Sequence, residues 1–243
     1  MNGTKKAARV AGLWYLLMAI TAPIGLLYVP SRLIVSGDAA ATASRIRESE
    51  LLFRIGIASE LFHQTIAIFL VLALYRLFRP VDEARARQLV ILGALVSVPI
   101  AFLNVLNEIA ALVLIGGSSF LSVFDRQQLD ALAYLFIRLH AQGINVVSIF
   151  WGLWLFPFGM LVIRSRFIPR VLGMLLFLAG GGYLAFAAVS VVAPHYAHVV
   201  GSVAMILEVG ELPIIGWLAI WGARAQPVRV AAIASSGASS MSE

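Results

Sequence analysis

The chain contains no cysteine, which excludes disulfides and removes thiolates from any nucleophilic or metal-ligating role. Charge is scarce too: 12% of the 243 residues are Asp, Glu, Lys or Arg, where soluble proteins carry roughly a quarter. A soluble domain of this length could not cover its surface with so little charge. Also missing are H-E-x-x-H, G-x-S-x-G and a phosphate-cradling glycine loop. The common signatures of zinc peptidases, serine hydrolases and nucleotide-binding folds are therefore absent.

Apolar residues take up 61% of the sequence. Six apolar stretches reach the roughly 20 residues that cross a bilayer: Val10–Val29, Ile55–Phe78, Leu89–Ile115, Ile144–Ile163, Val171–Val192 and Val199–Trp221. The pattern predicts an all-α, polytopic membrane bundle of six transmembrane helices, with residues 1–222 as one domain. The Ala/Ser-rich tail, residues 223–243, is expected to be disordered. A basic lead, "MNGTKKAAR", precedes the first stretch. The apolar run behind it exceeds a signal-peptide core of roughly 7–15 residues, and no A-x-A site stands directly after it, so it reads as an uncleaved first helix.

The formal charge of +6 does not point to nucleic acid, because the basic residues sit at alternate connections. Lys5, Lys6 and Arg9 precede the first span. Arg76, Arg79, Arg85 and Arg87 flank the second connection, Arg164, Arg166 and Arg170 the fourth, and Arg224 and Arg229 follow the sixth span. These positions hold 12 of the 18 basic residues, which predicts cytoplasmic N and C termini. The expected partners are the lipid bilayer and its anionic headgroups at the cytoplasmic face.

Two connections carry helix signals. In "SGDAAATASRIRESE", Asp38 stands as an N-cap before a helix-favouring run. In "FDRQQLDALAYLFIRLHAQG", Asp125 and Gln128 have capping-box spacing. One or two outer amphipathic helices are expected. A helix running unbroken from Arg126 to Ile163 would be about 57 Å long, against a hydrocarbon layer of about 30 Å. Its first half must project, tilt or lie against outer structure. Pro23, Pro99, Pro157 and Pro213 interrupt four spans and should bend them. Gly180, Gly181 and Gly182 predict a close helix–helix seam.

Polar groups recur inside the spans at helical spacing. Glu60, His63 and Gln64 share one face, as do Asn104, Asn107 and Glu108. Arg138, Gln142 and Asn145 form another stripe, with His140 about 200° around the helix from Arg138. Glu208 and Glu211 stand three apart just before Pro213. Counting from the outer ends, Glu60 lies ~8 Å deep, His63 ~12 Å, Glu108 ~10 Å, Glu208 ~14 Å and Glu211 ~18 Å. The inner halves, such as "IAIFLVLALY" and "PIIGWLAIW", hold no ionisable residue. The expectation is a cup, polar in its outer half and sealed below.

Several segments carry a resemblance: "ARVAGLWYLL", "GDAAATASRIRESELLFRIGI", "LYRLFRPV", and "LHAQGINVVSIFWGLW" running into "RSRFIPRVLGMLLFLAGGGYL". From Arg9 to about Trp221 the chain resembles a bacterial family catalogued as domain of unknown function 4386 (DUF4386). The resemblance implies a six-helix integral protein of the bacterial inner membrane. It implies no activity, cofactor or catalytic residue.

Intramembrane ionisable groups usually face a bundle interior or a wet cavity. Only Arg54 and Arg138 are near enough in sequence position to balance four glutamates. That favours a site for a small cation, proton or polar solute, lined by Glu60, His63, Gln64, Asn104, Glu108, Arg138, Gln142, Glu208 and Glu211. Glu60-x-x-His63 has the spacing of di-metal bundles, but one such pair is too few. His140, His195 and His198 would have to complete it, so no metal or cofactor is assigned. A membrane-embedded enzyme using Glu60 and His63 as acid and base, and a scaffold with polar helix contacts, are the alternatives.

Overall fold

The computed structural model describes residues 3–224; the predicted tail lies, from residue 225 on, outside them. Among the described residues there is no strand. Six helices are long and apolar enough to span a membrane, and one short helix accompanies them. They are Gly3–Leu33 (α1), Ala39–Glu48 (α2), Glu50–Phe78 (α3), Glu83–Ile115 (α4), Arg126–Ser165 (α5), Arg170–Val192 (α6) and Pro194–Ile220 (α7). The chain is a multi-pass membrane protein.

The six spans form a closed ring in which each packs on its sequence neighbour, and α1 against α7 completes the circuit. Both ends of the described chain therefore lie side by side. The Arg9 guanidinium donates to the Ile220 carbonyl at 2.9 Å, and Gly12 lies so close to α7 that a Cβ there would fall 2.2 Å from the Ala219 nitrogen. In lipid there is little hydrophobic drive between helices, so such small-residue approaches supply packing contact directly. At the same end, Arg164 bridges to Asp82, and the Arg224 amide donates to Phe167.

The opposite end carries α2. Asp38 caps it as its position predicts, its carboxylate accepting from the Ala41 amide at 2.8 Å. The buried face of α2, Thr42, Ala43 and Ile46, packs on α5, and Arg47 pairs with Asp130. Asp125 and Gln128 form the expected capping box. Helix α5, at 40 residues about 60 Å, thus has its early part covered by α2.

Pro23, Pro99, Pro157 and Pro213 each stand beside a break in regular helix. Pro23 precedes a π-helical turn over Ile24–Tyr28, and a second lies at Ile91–Val96, just before Pro99. Regular helix stops at Trp154, where Pro157 has no N–H for the Leu153 carbonyl. A 3₁₀ turn over Val209–Glu211 precedes Pro213.

Two apolar cores fill the ring. One, at the end of the termini, gathers Tyr15, Leu74, Phe78, Phe158, Leu161 and Leu218 among others. The other, near α2, includes Val29, Ile46, Phe53, Val105, Ala111 and Ile137. Along α3, α4 and α5 the buried ionisable groups Glu60, His63, Glu108 and His140 lie between members of the two cores.

Candidate functional site

Polar side chains of the spans meet in two groups. The first is a compact trio. Glu60 from α3, Glu108 from α4 and His140 from α5 are all buried and place one ligand atom each within 4.8 Å of the others. His140 Nε2 is 3.1 Å from Glu60 Oε2 and 3.9 Å from Glu108 Oε2. Glu60 Oε1 and Glu108 Oε2 are buried without a hydrogen-bond partner among the described residues.

The backbone around the trio is closely fitted. A Cβ on Gly25 would reach within 2.6 Å of Glu60 Cγ, so α1 must carry glycine there. Asn104 donates to the His140 carbonyl at 3.0 Å and accepts from Asn107 at 3.2 Å. Gly143 makes room for it, because a Cβ there would lie 1.8 Å from Asn104 Oδ1. Asn104 thereby ties α4 to the turn of α5 that carries His140.

The second group lines a cavity of ≈ 230 Å³ at the centre of the ring, and every span contributes. Tyr15 comes from α1, His63 and Gln64 from α3, Ser97 from α4, Trp151 and Trp154 from α5, Tyr183 from α6, and Glu208 and Glu211 from α7. The Tyr15 hydroxyl donates to the Glu211 carboxylate, and Tyr183 approaches the same group. His63 Nδ1 lies 3.3 Å from the Met18 carbonyl, and its ring meets Trp151 edge-on. No lysine or arginine lines this cavity. The helix breaks converge on it: Leu26 and Gly93 from the two π turns, Trp154 from the break in α5, and Glu211 from the 3₁₀ turn all form its wall.

The residues read from the sequence are thus sorted. Glu60, Glu108 and Asn104 meet at the trio; His63, Gln64, Glu208 and Glu211 meet at the cavity. Arg138 and Gln142 are exposed, and Asn145 is only partly buried, so that stripe of α5 turns away from both groups. Arg54 pairs with Glu50 at 2.7 Å on the surface. Among the described residues no lysine or arginine is within ion-pair distance of Glu60, Glu108, Glu208 or Glu211. His195 and His198 are exposed at the start of α7.

His140 is the member that the stripe argument left out. It had a signal: Asp130, Ala133, Ile137, His140 and Val147 are buried at spacings of three, four, three and seven, the period of a helix seam. Following the apolar residues of α5, rather than its polar ones, leads to His140. Glu60 accordingly has His140 as its partner, not His63.

The family known as Domain of unknown function (DUF4386) matches residues 10–222. The chain belongs to that family. Comparisons with curated proteins and with solved structures return no match. Membership of DUF4386 agrees with the six-span architecture, and residue roles in this DUF4386 protein have to be read from its geometry.

A larger cleft, ≈ 670 Å³, opens at the end of the termini. Lys5, Arg164, Arg166 and Arg224 line it together with Trp217 and Trp221. The Arg224 guanidinium sits 5.0 Å above the Trp217 ring.

Proposed function

We propose that this DUF4386 protein binds, and by alternating exposure carries, a small organic cation in the central cavity. The observation that supports it most is the convergence of four helix interruptions on one cavity whose only ionisable wall groups are acids, tyrosines and a histidine. Broken membrane helices free backbone polar groups, a cost tolerated where they line a site. Carboxylates beside aromatic faces are the chemistry that recognises an ammonium group. Glu208 and Glu211 supply the charge; the rings of Trp151, Trp154, Tyr15 and Tyr183 supply the faces. The volume suits one small solute or a few waters. Apolar cores lie toward both ends of the ring, so passage in this reading needs the two ends to open in turn.

In this reading the protein sits in the bacterial inner membrane with its termini in the cytoplasm. The basic cleft then faces the inner leaflet, where its arginines and tryptophans suit anionic lipid headgroups.

The test uses full-length protein in nanodiscs, titrated with tetramethylammonium and choline while Trp fluorescence is followed. Trp151 and Trp154 at the cavity wall should report saturable binding. The Glu208→Gln/Glu211→Gln variant should weaken it at least about tenfold, a loss of about 1.4 kcal/mol. The uncharged choline isostere, with carbon in place of nitrogen, should bind no better than the variant binds choline. Equal binding of choline and its isostere, or no saturable signal and no calorimetric heat, would remove the organic cation from this reading.

A further inference from the structure

We propose that Glu60, Glu108 and His140 hold a divalent transition-metal ion, separate from the central cavity. Four observations support this, and none involves the cavity. The first is geometric. Ligand atoms around one zinc-sized ion stand about 3–3.5 Å apart, given metal–ligand distances of about 2.0–2.1 Å. His140 Nε2 lies 3.1 Å from Glu60 Oε2 and 3.9 Å from Glu108 Oε2, and all three ligand atoms fall within 4.8 Å of one another. The three helices already aim one atom each at a common point.

The second is what those atoms lack. Side chains that serve only as polar glue between helices satisfy one another's hydrogen bonds. Here Glu60 Oε1 and Glu108 Oε2 are buried with no partner among the described residues, on side chains only 6% and 7% exposed. A buried acceptor left unmatched is costly, and two on carboxylates facing one imidazole indicate a missing cation. The third is charge. Two buried carboxylates approach each other, and among the described residues no lysine or arginine lies within ion-pair distance of either.

The fourth is the support behind the ligands. Metal-site side chains are held by outer contacts that fix their direction. Asn104 fixes the backbone at His140, and Gly25 and Gly143 are the only residue type that fits where they pack. One imidazole and two carboxylates suit Zn²⁺, Mn²⁺ or Fe²⁺. Copper(I) prefers sulfur, and Mg²⁺ and Ca²⁺ prefer all-oxygen shells. Three protein ligands leave at least one coordination position for water or another small ligand.

The experiment is elemental analysis of the full-length, tag-free protein purified in detergent, followed by cobalt titration of the metal-stripped form. The proposal expects about one transition-metal ion per chain, and cobalt d–d absorption that saturates and is displaced by Zn²⁺. The Glu60→Gln/Glu108→Gln variant should lose the ion and the spectrum. His195→Ala/His198→Ala should keep both, which separates the trio from the exposed histidine pair. Should the first variant fail to fold, the cobalt spectrum of the unaltered protein still decides. A protein that carries no stoichiometric ion and gives no saturable cobalt spectrum overturns the proposal. So does an ion that survives in the folded Glu60→Gln/Glu108→Gln variant. Neither result bears on choline binding, which reads the cavity alone.

Discussion

Asp82 closes the turn between α3 and α4 with one carboxylate. One oxygen accepts from the Arg85 amide at 3.1 Å as the N-cap of α4. The other meets the Arg85 guanidinium at 2.8 Å and that of Arg164, at the end of α5, at 2.5 Å. The capped Arg85 amide does most to hold the carboxyl below its ordinary range. Partial burial pushes the other way, and the Arg85 and Arg164 guanidiniums pull it down further. A lowered carboxylate pKa stabilises the fold above the unfolded value, about 3.9. The stabilisation disappears as pH falls through the folded value. Asparagine caps a helix about as well as aspartate but cannot pair with Arg164. Thermal unfolding of Asp82→Asn should therefore fall below that of the unaltered protein at neutral pH, with the gap closing in acid. A gap that stays constant with pH would show that the charge contributes nothing.

At the scale of helices, the glycines of α5 and α6 form a reciprocal seam. Gly152 faces Gly180, and Gly159 faces Gly173; a Cβ on either member would lie 2.9 Å from the partner's carbonyl oxygen in the first pair and 2.7 Å in the second. The seven-residue spacing on both helices repeats the contact two turns on. Gly182 lies instead against Ala204 and Leu207 of α7, while Gly181 meets nothing within 4 Å. Three consecutive glycines thus have three different surroundings. Gly180→Ala should destabilise by about 1–3 kcal/mol as the helices are forced apart. Gly181→Ala should be neutral or gain about 0.5–1 kcal/mol from helix propensity. Thermal melts in detergent distinguish the two, and equal effects at 180 and 181 would contradict a directional seam. The sequence made the existence of this seam readable, because small residues in an apolar span have few other uses. The facing glycines on α5 were not readable, since pairing needs the register of two helices. The same divide holds for the polar groups. Caps such as Asp38 and Asp125 are local and follow from spacing alone. The trio depends on how three helices rotate against one another, and on α5 the polar residues, exposed Arg138 and Gln142, drew attention to the wrong face.

For the molecule as a whole, the closed ring fixes which connections share an end, and the charges on those connections predict its direction in the bilayer. The end of the termini presents Lys5, Lys6, Arg9, Arg79, Arg85, Arg87, Arg164, Arg166 and Arg170. The α2 end has Arg32, Arg45, Arg47, Arg54 and Arg126, but Asp38, Glu48, Glu50 and Asp125 lie among them, Arg47 is tied to Asp130 and Arg54 to Glu50. Excess Lys and Arg stay cytoplasmic, so the α2 end should face outward. A chain without native cysteine makes this directly measurable. Ala84→Cys, exposed beside the Asp82 turn, and Ser122→Cys, exposed before α5, report opposite ends without touching either polar group. An impermeant maleimide added to intact cells should label Ser122→Cys and spare Ala84→Cys, with the pattern reversed in inside-out vesicles. Labelling of Ala84→Cys from outside would invert the protein. The basic cleft would then face away from the anionic leaflet and its assignment to lipid headgroups would fail, while the trio and the cavity would keep their geometry in either orientation.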